Sequence, residues 1–399
     1  MRAVVIGAGR IGCGFVGQML HRSGHEVCLV GRGPVVDHLT RANGYVVRVT
    51  DGRTVYDQPV DGIRVLDAGA TAEIEAEIAG SELVCTAVGP GALDTAAATL
   101  ARGLAAARHP VNVIAFENAE DAGPRLRRLV AAQAGIDTAV RHGFSGAVVN
   151  RVVAHRLLPQ HPTDPVVLVG EPHTEFAVDI GALKQPVAMI EGLVPVRDFA
   201  GYYRRKLFRY SAGHAAAAYL GHVKGYRLVH AAVRDPEIRA AVRGAMTEGR
   251  LGLDAKYSSS VAGTEDELDE ILRRFDNAAL GDTVARVGRD ACRKLAPHER
   301  LIGPARLAED AGIPPVWLAQ AAAAALCFAG APIATPAYRR ALLREVAGLA
   351  PDASLARRIE TAWLTMFDGW QDGNLLLSLK DQLWSWSSRP RVEELAGAS

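Results

Sequence analysis

Short apolar runs alternate with helical stretches over the first part of the chain. Ala3 to Ile6 and Glu26 to Val30 predict two strands, and about Ile11 to Ser23 predicts the helix between them. Two further apolar runs, Glu82 to Pro90 and Val111 to Ala119, predict strands of the same kind. This rhythm of strand and helix is typical of a doubly wound α/β sheet.

Strand signals give way to helical periodicity near residue 194. Two later strands, at about Val148 to His155 and Val166 to Val169, are predicted to extend the sheet before Pro195. From Asp198 to about Trp386 the pattern is helical. With 399 residues the chain is long enough for two domains. We predict an α/β domain over residues 1–193 and a mainly α-helical domain over residues 194–399.

The turn after the first predicted strand carries three glycines. Gly7, Gly9 and Gly12 form GxGxxG between a strand and a helix, where the dinucleotide fingerprint lies. The first glycine allows a tight turn, the second lets a pyrophosphate approach, and the third lets the helix pack on the sheet. The helix N-terminus then favours the anion. We predict a Rossmann dinucleotide-binding domain, with Arg10 and Ile11 as further cofactor contacts; the alternative is a glycine-rich turn without a ligand.

The carboxyl ends of two later strands are candidate contacts of the nicotinamide. In a doubly wound sheet these ends face the ligand crevice. Val88, Gly89 and Pro90 lie at the carboxyl end of one predicted strand, and Asn118 lies at the carboxyl end of the next. The alternative for Asn118 is a turn residue without a ligand.

The end of the second strand bears on which dinucleotide is bound. NAD-binding folds place Asp or Glu there, about 20 residues past the glycines, to bind the ribose hydroxyls. Here Gly31 and Arg32 occupy that position. A guanidinium suits a 2′-phosphate, so we predict NADP(H) in preference to NAD(H). Alternatively Arg32 points to solvent and either cofactor is used.

A polar trio lies in an alanine-rich helix of the second domain. At about 100° per residue, Lys206, Ser211 and His214 fall within an arc of roughly 140° on a helix predicted from Asp198 to His222. Asp198 is the expected N-cap. The plainer interpretation is that these residues are polar positions on a half-buried helix.

Composition excludes several classes of partner. The net charge is +1 and no basic run is interleaved with aromatic residues, so no nucleic-acid binding is expected. Five cysteines without metal-ligand spacing favour a reducing cytoplasm, and no secretory leader is recognised. The apolar run Val316 to Ile333 contains Gln320 and is rich in alanine, which predicts a buried helix rather than a membrane span. The expected partner is therefore a small molecule.

Together these segments resemble the polyol-specific long-chain dehydrogenases, the mannitol dehydrogenase family. The resemblance runs nearly end to end through IGAGRIGCGFVG, LVCTAVGP, FENAEDAG, VVNRVV, GEPHTEFAVD, RKLFRYSAGHAAAAYLG, AVRDPEIRAAVRGAMTE and RFDNAALGDTVARVGRDACRKLAPHERLIGP. It implies a Rossmann domain followed by a helical domain, with a metal-free active site at their junction. It also implies hydride transfer between a nicotinamide and a secondary alcohol of a phosphorylated polyol or sugar.

The resemblance also implies catalytic roles. The family's pattern is Lys, four residues, Asn, two residues, His, and here Lys206 and His214 match while Ser211 stands in place of the asparagine. Lys206 is then the general base, and His214 contacts the substrate oxygen or orients the lysine. Asn118 matches a second family asparagine that holds the developing alkoxide. A serine side chain is shorter than an asparagine side chain, so the resemblance does not fix the identity of the substrate.

An anionic end of the substrate requires cations. Arg286, Arg289 and Arg293 stand at i, i+3 and i+7 with Lys294 adjacent, which predicts a stripe on one helix that binds a phosphate. The alternative is a solvated arginine face.

Three functions remain open on the sequence. The first is a dehydrogenase of a phosphorylated polyol, and the second is a relative redirected to another anionic secondary alcohol of specialised metabolism. The third is a nucleotide-binding sensor without turnover, which the presence of Lys206 and His214 disfavours. We expect a monomer or a homodimer.

Overall fold

Two sheets are built from the N-terminal half of the chain. The structure is a computed structural model that describes residues 1–159, 161, 164–187, 189–257, 259–329 and 336–371. In chain order the strands are β1 (Arg2–Ile6), β2 (Glu26–Gly31), β3 (Gly44–Thr50), β4 (Val55–Asp61), β5 (Arg64–Asp67), β6 (Leu83–Thr86), β7 (Asn112–Ala115), β8 (Gly143–Val149), β9 (Val153–Leu157), β10 (Val166–Gly170), β11 (Phe176–Asp179) and β12 (Leu193–Val196).

The larger sheet has eight strands in the order β12-β11-β8-β7-β6-β1-β2-β5. Its pairs are parallel except β8 with β11. Alternate residues of β1 enter two different cores: Val4 packs with α-helical residues such as Leu100, and Val5 packs with Phe15 on the opposite face. Both faces are covered, which is why these strands read as continuous apolar runs.

Helices cover both faces of this sheet. They are α1 (Gln18–Arg22), α2 (Pro34–Arg41), α3 (Thr71–Ala79), α4 (Leu93–Ala106), α5 (Ala122–Ala134), α6 (Ile136–Arg141) and α7 (Phe199–Arg205), with a π-helical segment Gly12–Gly17 before α1 and 3₁₀ turns Pro90–Ala92 and Ile180–Ala182. The predicted helix after the glycine-rich turn is therefore partly a π-helix. Tyr45 Oη donates to the Cys13 carbonyl at 2.8 Å, which satisfies one backbone group within the π-helical segment.

The smaller sheet differs from the sequence-based expectation. Its order is β4-β3-β10-β9, so β9 and β10 pair with a β3–β4 hairpin rather than extend the larger sheet. The predicted strand at about 148–155 is in fact the end of β8 and the start of β9, which belong to different sheets. Pairing of β10 with β3 joins residues more than 100 positions apart, and no local pattern signals it.

The chain divides into two compact units. The first comprises Met1–Lys206 with Asn277–Gly281, and the second comprises the described residues of Leu207–Asp276 and from Asp282 onward. The predicted α/β domain followed by a helical domain is confirmed as a fold class. The boundary predicted at 193/194 stays a prediction.

Helices make up the second unit. A π-helical segment Lys206–Ser211 leads into α8 (Ala212–Val223), α9 (Val229–Arg234), α10 (Pro236–Lys256), α11 (Ser259–Ala262), α12 (Glu265–Phe275), α13 (Val284–Gly288), α14 (Ala291–Lys294), α15 (Ile302–Asp310), α16 (Val316–Phe328), α17 (Pro336–Glu345) and α18 (Ser354–Gln371). Lys206 itself and a 3₁₀ turn at Ala278–Leu280 belong to the first unit. The expected N-cap is present, because Asp198 accepts from the Gly201 amide at 2.9 Å. The part of the predicted helical pattern from residue 372 to about Trp386 lies outside the described residues.

Small side chains allow close packing of the helices in this unit. Ala215 to Ala218 in α8 and Ala321 to Ala325 in α16 are buried. The Glu248 carboxylate caps α16 by accepting from the Trp317 and Leu318 amides at 2.9 and 2.8 Å. The apolar run is thus a buried helix as predicted, although residues 330–333 of that run lie outside the described residues. Among the described helices, none has both the length and the apolar character needed to cross a membrane.

A buried histidine joins three elements of the first unit and makes stability depend on pH. His142 Nδ1 accepts from the Val111 amide at 3.0 Å, so Nε2 carries the hydrogen and donates to the Leu104 carbonyl at 3.0 Å. Burial, with Arg141 nearby, lowers the pKa of His142 to about 4. The folded state therefore holds the neutral ring.

We expect the first unit to lose stability as the pH falls from about 6.5 to about 4, because only the unfolded chain takes up this proton in that interval. Above pH 6.5 both states are neutral and His142 contributes no pH dependence. Urea midpoints followed by circular dichroism at pH 8, 6.5, 5 and 4 measure the effect. The urea midpoint should depend less on pH in His142→Gln, and as in the wild type in exposed His161→Gln. The same pH dependence in all three proteins would contradict the assignment.

Candidate functional site

The glycine-rich loop has two glycines that the fold requires and one that leaves space. Gly7 has φ of +118°, and a Cβ there would lie 2.5 Å from the Ala87 carbonyl oxygen. A Cβ on Gly12 would lie 1.8 Å from the Gly7 carbonyl oxygen. No atom beyond the neighbouring residues lies within 4 Å of a Cβ on Gly9. The loop is thus closed on its protein side and open at Gly9, as a cradle for a ligand phosphate requires.

A cleft of about 360 Å³ adjoins this loop. Five of the predicted cofactor residues line it: Gly7, Gly9, Gly31, Arg32 and Val88. Arg10, Ile11, Gly12, Gly89 and Asn118 are not among its described lining residues. The cleft extends from the loop to the carboxyl end of β2, which matches the adenosine side of a dinucleotide site.

The end of β2 has no room for an acidic side chain at Gly31. A Cβ there would lie 2.7 Å from Ala8 Cβ and 3.0 Å from Val36 Cγ2. The neighbouring strand β5 ends at Asp67, paired with Gly31, and its carboxylate accepts from the Gly69 amide at 2.8 Å. Glycine at position 31 is therefore a packing requirement, and Arg32 is the first residue there with a long side chain.

Arg156 is a residue of the cleft that the sequence did not reveal. It lies on β9 of the smaller sheet, lines the cleft, and donates from Nη1 to the Ala8 carbonyl at 3.4 Å. Arg10 reaches from the loop to the same strand and donates to the Ala154 carbonyl at 3.0 Å. The two arginines connect the loop with β9. No local motif marks Arg156, because its position follows from the pairing of distant strands.

A buried carboxylate joins the carboxyl ends of β6 and β7. Glu117 accepts from Thr86 Oγ1 at 2.7 Å and from the Val88 amide at 2.9 Å. The next residue, Asn118, accepts through Oδ1 from Lys206 Nζ at 2.9 Å. Tyr203 Oη also donates to the Asn118 carbonyl, at 3.3 Å. The structure thus brings together two of the predicted catalytic residues, Asn118 and Lys206, at the strand ends.

The segment that begins at Lys206 is not a regular α-helix. Lys206–Ser211 form a π-helix, so the spacing of 100° per residue does not hold over this segment. The predicted arc shared by Lys206, Ser211 and His214 assumed α-helical spacing, and it is wrong over Lys206–Ser211. The Ser211 side chain is buried. Single π-helical turns inside α-helices are frequent at functional sites.

In the second unit, His214 belongs to a buried hydrogen-bonded group. His214 Nε2 lies 3.0 Å from Asp282 Oδ2. Arg286 donates to both oxygens of this carboxylate, from Nε and Nη2, each at 2.6 Å. The imidazole stacks on Phe275, with ring centroids 5.0 Å apart and an interplanar angle of 12°.

This group fixes the charges of its members. Burial raises the pKa of Asp282, but the hydrogen bonds from His214 and Arg286 outweigh it and hold the pKa of that carboxyl well below its usual range. Burial also lowers the pKa of His214 by more than the hydrogen bond to Asp282 raises it. The group is therefore an ionised carboxylate between a guanidinium and a neutral imidazole.

The predicted arginine stripe is wrong as a helical feature. Arg286 lies in α13 and Arg293 in α14, while Arg289 lies between them with φ −51° and ψ 152°, followed by Asp290 in the left-handed region at φ 59°. An extended residue and a left-handed residue end the helix, so i, i+3, i+7 spacing does not align the side chains. The four cations therefore do not form one row on a single helix.

Two of the four cations are paired with carboxylates. Arg286 binds Asp282, and Arg293 donates to Glu299 at 2.8 Å. Lys294 is buried and donates to the Val287 carbonyl, and burial, with Arg300 and Arg293 nearby, lowers the pKa of Lys294 to about 7. Arg289 is exposed and donates to the Arg286 carbonyl at 3.2 Å. Among the described residues Arg289 has no carboxylate partner.

Family models match both halves of the chain. The mannitol dehydrogenase Rossmann domain matches residues 1–192, and the mannitol dehydrogenase C-terminal domain matches residues 198–332. A mannitol-1-phosphate 5-dehydrogenase of Brevibacillus brevis is 37% identical over 338 residues, which cover 82% of this chain and 86% of the relative. The protein of the same name from Bacillus licheniformis is 35% identical over 382 residues, 90% of this chain and 98% of the relative.

Solved structures share the fold. The mannitol 2-dehydrogenase of Pseudomonas fluorescens, in a ternary complex with NAD and D-mannitol, matches with a TM-score of 0.74 at 17% identity and covers 96% of this chain and 94% of its own. A D-sorbitol dehydrogenase in substrate-free form matches with a TM-score of 0.67 at 16% identity, covering 94% and 90%. At these identities the likeness concerns the fold alone.

The loop geometry separates two glycine substitutions. Gly9→Ala should fold as the wild type does but bind NADH and NADPH at least about tenfold more weakly, because its methyl group enters the open space. Gly12→Ala should lower the free energy of unfolding by about 1–3 kcal/mol, because its Cβ meets a backbone carbonyl. Thermal unfolding and fluorescence titration measure both effects. Normal dinucleotide binding by Gly9→Ala would contradict the assignment of this space.

Proposed function

The chain belongs to the mannitol dehydrogenase family, and we propose that it interconverts mannitol 1-phosphate and the corresponding phosphorylated ketose. It is a dehydrogenase of the nicotinamide-dependent kind. The substrate is proposed from the relatives, which carry that name at 35–39% identity. The observation that carries the proposal is the contact of Lys206 Nζ with Asn118 Oδ1 at 2.9 Å, at the strand ends of a dinucleotide fold.

The residues of the first unit fit a nicotinamide dinucleotide. Gly9 leaves space for the pyrophosphate, and Arg32 and Arg156 supply positive charge along the cleft. When bound, the nicotinamide supplies the ring carbon that accepts or returns the hydride. The Glu117 carboxylate holds the ends of β6 and β7 in register, which keeps Val88 and Asn118 in fixed positions.

Lys206 is the proposed general base. It takes the proton of the substrate hydroxyl while hydride leaves the same carbon, and it returns the proton in the reverse direction. Asn118 Oδ1 accepts from Lys206 and so orients Nζ. The Nδ2 amide hydrogen of Asn118 is then free to be donated to the developing alkoxide. In comparable sites one such donor stabilises the transition state by roughly 3 kcal/mol.

His214 and Ser211 are the proposed catalytic residues of the helical unit. His214 hydrogen-bonds an oxygen of the substrate. Ser211 takes the place of an asparagine of the family pattern and offers a shorter hydroxyl donor. Serine at position 211 does not favour a second function by itself. It does mean that the identity of the alcohol substrate has to be tested.

The substrate phosphate is proposed to bind cations of the helical unit, namely Arg286, Arg289, Arg293 and Lys294. Arg289 is the strongest member of this set, since carboxylates already compensate Arg286 and Arg293, and Lys294 is buried with a lowered pKa. A guanidinium can bind a phosphate through two parallel hydrogen bonds. Arg289 is also exposed, so a phosphate reaches it without displacing a buried contact.

NADP(H) is the proposed cofactor in preference to NAD(H). The carboxylate that would repel a 2′-phosphate is missing at the end of β2, and packing against Ala8 and Val36 excludes one at Gly31. Arg32 lines the cleft at this end and can bind the phosphate. Arg156 lies beside Ala8 and is proposed to bind the pyrophosphate, which both dinucleotides share.

We also propose that the protein acts in the cytoplasm, as a monomer or a homodimer. All five cysteines are free thiols, and only Cys292 is exposed. A set of free thiols without a disulfide is typical of reducing compartments.

The reaction is tested with a panel of alcohols and both dinucleotides. We expect oxidation of mannitol 1-phosphate and much slower oxidation of mannitol. Lys206→Ala should lower turnover by about 10²–10⁴-fold with little change in dinucleotide affinity, because the lysine acts on the substrate proton. Exposed Lys256→Ala is the control and should resemble the wild type.

Other results of the panel would redirect the proposal. Turnover of a different anionic alcohol alone would keep the dehydrogenase chemistry and reject this substrate. Dinucleotide binding without turnover of any alcohol would indicate a sensor. Normal turnover by Lys206→Ala would remove the lysine from the mechanism.

The cofactor preference is tested with Arg32→Ala. It should weaken NADP(H) binding at least about tenfold and leave NAD(H) nearly unchanged, because a charge-assisted contact is worth about 1.5–3 kcal/mol. Arg156→Ala should weaken both dinucleotides to a similar extent, and Arg41→Ala should weaken neither. Dissociation constants are measured by fluorescence titration. A wild-type preference for NAD(H), or an unchanged ratio in Arg32→Ala, would reject the role of Arg32.

A further inference from the structure

We infer that Asp282 is a positioning residue that holds His214 in one tautomer, with hydrogen on Nε2 and a lone pair on Nδ1. In this form His214 accepts a hydrogen bond from a substrate hydroxyl rather than donating one to an alkoxide. The inference rests on the proposed function, since it specifies how His214 meets the substrate.

The hydrogen on Nε2 follows from the chemistry of the partner. An ionised carboxylate only accepts, so the ring nitrogen 3.0 Å from Asp282 Oδ2 must be the donor. The imidazole is neutral, because burial lowers the pKa of His214 more than Asp282 raises it, with Arg286 and Lys294 as the nearby cations. A neutral ring with hydrogen on Nε2 has an acceptor at Nδ1. Within the described part of the chain, Nδ1 has no hydrogen-bond partner.

Several contacts keep the carboxylate where it is. Arg286 binds both of its oxygens at 2.6 Å, and only 6% of Asp282 is exposed. The Asp282 carbonyl accepts from the Val229 amide at 2.9 Å, and Thr283 caps α13 by accepting from the Arg286 amide at 3.1 Å. The backbone is therefore fixed on both sides of the carboxylate, and the guanidinium stands one helical turn away at i+4.

Aromatic packing restricts rotation of the imidazole. Phe275 stacks on it at 5.0 Å, and Tyr210 contacts it edge to face at 5.8 Å. A ring that packs against two aromatic side chains, themselves 5.2 Å apart, and is hydrogen-bonded at Nε2 keeps Nδ1 in one direction. A fixed ring direction lowers the cost of orienting the substrate hydroxyl when it binds.

The catalytic residues then have different roles toward the substrate. Because Lys206 takes the one hydrogen of the reacting hydroxyl, the acceptor at Nδ1 receives its hydrogen bond from another hydroxyl of the polyol and orients the substrate through it. Stabilisation of the alkoxide then falls to donors such as Asn118 and Ser211. His214 in this form is an orienting group for a hydroxyl, and Asp282 acts through it without touching the substrate.

Nuclear magnetic resonance of ¹⁵N-histidine-labelled full-length protein tests the tautomer directly. The His214 signals are identified by their loss in His214→Gln, which separates them from those of His142, another buried ring with a bound Nε2 hydrogen. We expect a neutral ring at pH 7.5 with a slowly exchanging hydrogen on Nε2. A hydrogen on Nδ1, or an imidazolium, would overturn the inference in the wild type itself.

Asp282→Asn supplies the functional test. The amide keeps the volume but has one acceptor oxygen for three donor contacts, so the protected His214 hydrogen should be lost and kcat should fall at least about tenfold. The Michaelis constant for the dinucleotide should not change. Asp235→Asn is the matched control, because Asp235 pairs with Lys224 at 3.0 Å and caps α10 away from His214.

The outcomes separate this inference from the proposed reaction. An unchanged histidine spectrum and unchanged kcat in Asp282→Asn would overturn the positioning role and leave the dehydrogenase in place. Failure of the wild type to oxidise any polyol phosphate would reject the reaction, while the spectrum would still decide the tautomer. Equal loss of kcat in Asp235→Asn, with the His214 signal retained, would show that Asp282 acts only through stability.

Discussion

The buried carboxylate of Glu117 is the contact on which the first unit's site depends. It accepts from Thr86 on one strand and from the Val88 amide just beyond that strand, while its own backbone continues into Asn118. A buried acceptor that lost these donors would cost several kcal/mol, about 1–3 for each unsatisfied group. The carboxylate therefore fixes two strand ends together, and through Asn118 it determines where Lys206 is held.

The helical unit uses the same principle with a different residue. Asp282 is buried between Arg286 and His214, and its charge is compensated by two hydrogen bonds from the guanidinium. Removing one partner of such a buried pair leaves an uncompensated charge, which costs more free energy than forming the pair gains. The side chains of Asp282 and Arg286 are therefore held in one arrangement. In each unit a buried carboxylate orients a neighbouring side chain, and in neither unit is that carboxylate itself proposed to react with the substrate.

Steric limits explain the glycines of the dinucleotide loop better than flexibility does. Gly7, Gly12 and Gly31 each have a backbone or side-chain atom within 3 Å of where a Cβ would lie, whereas Gly9 has none. The first three are needed by the protein, and Gly9 leaves the space that we propose for a ligand. The arginines around the loop come from two sources, because Arg32 follows β2 and Arg156 lies on β9 of the smaller sheet.

The sequence by itself determined the α/β and helical halves and the glycine-rich loop, whereas the roles of Lys206 and His214 stay predictions. Each of these depends on residues close together in the chain, where apolar periodicity and spacing are legible. Only the tertiary structure decided that β9 and β10 form a second sheet, that Arg156 lies at Ala8, and that Asp282 contacts His214 from 68 positions away. The arginine stripe failed for a local reason, because extended Arg289 and left-handed Asp290 interrupt the helix that the spacing assumed. Contacts between distant segments arise from strand pairing and side-chain packing, which leave no local period in a sequence.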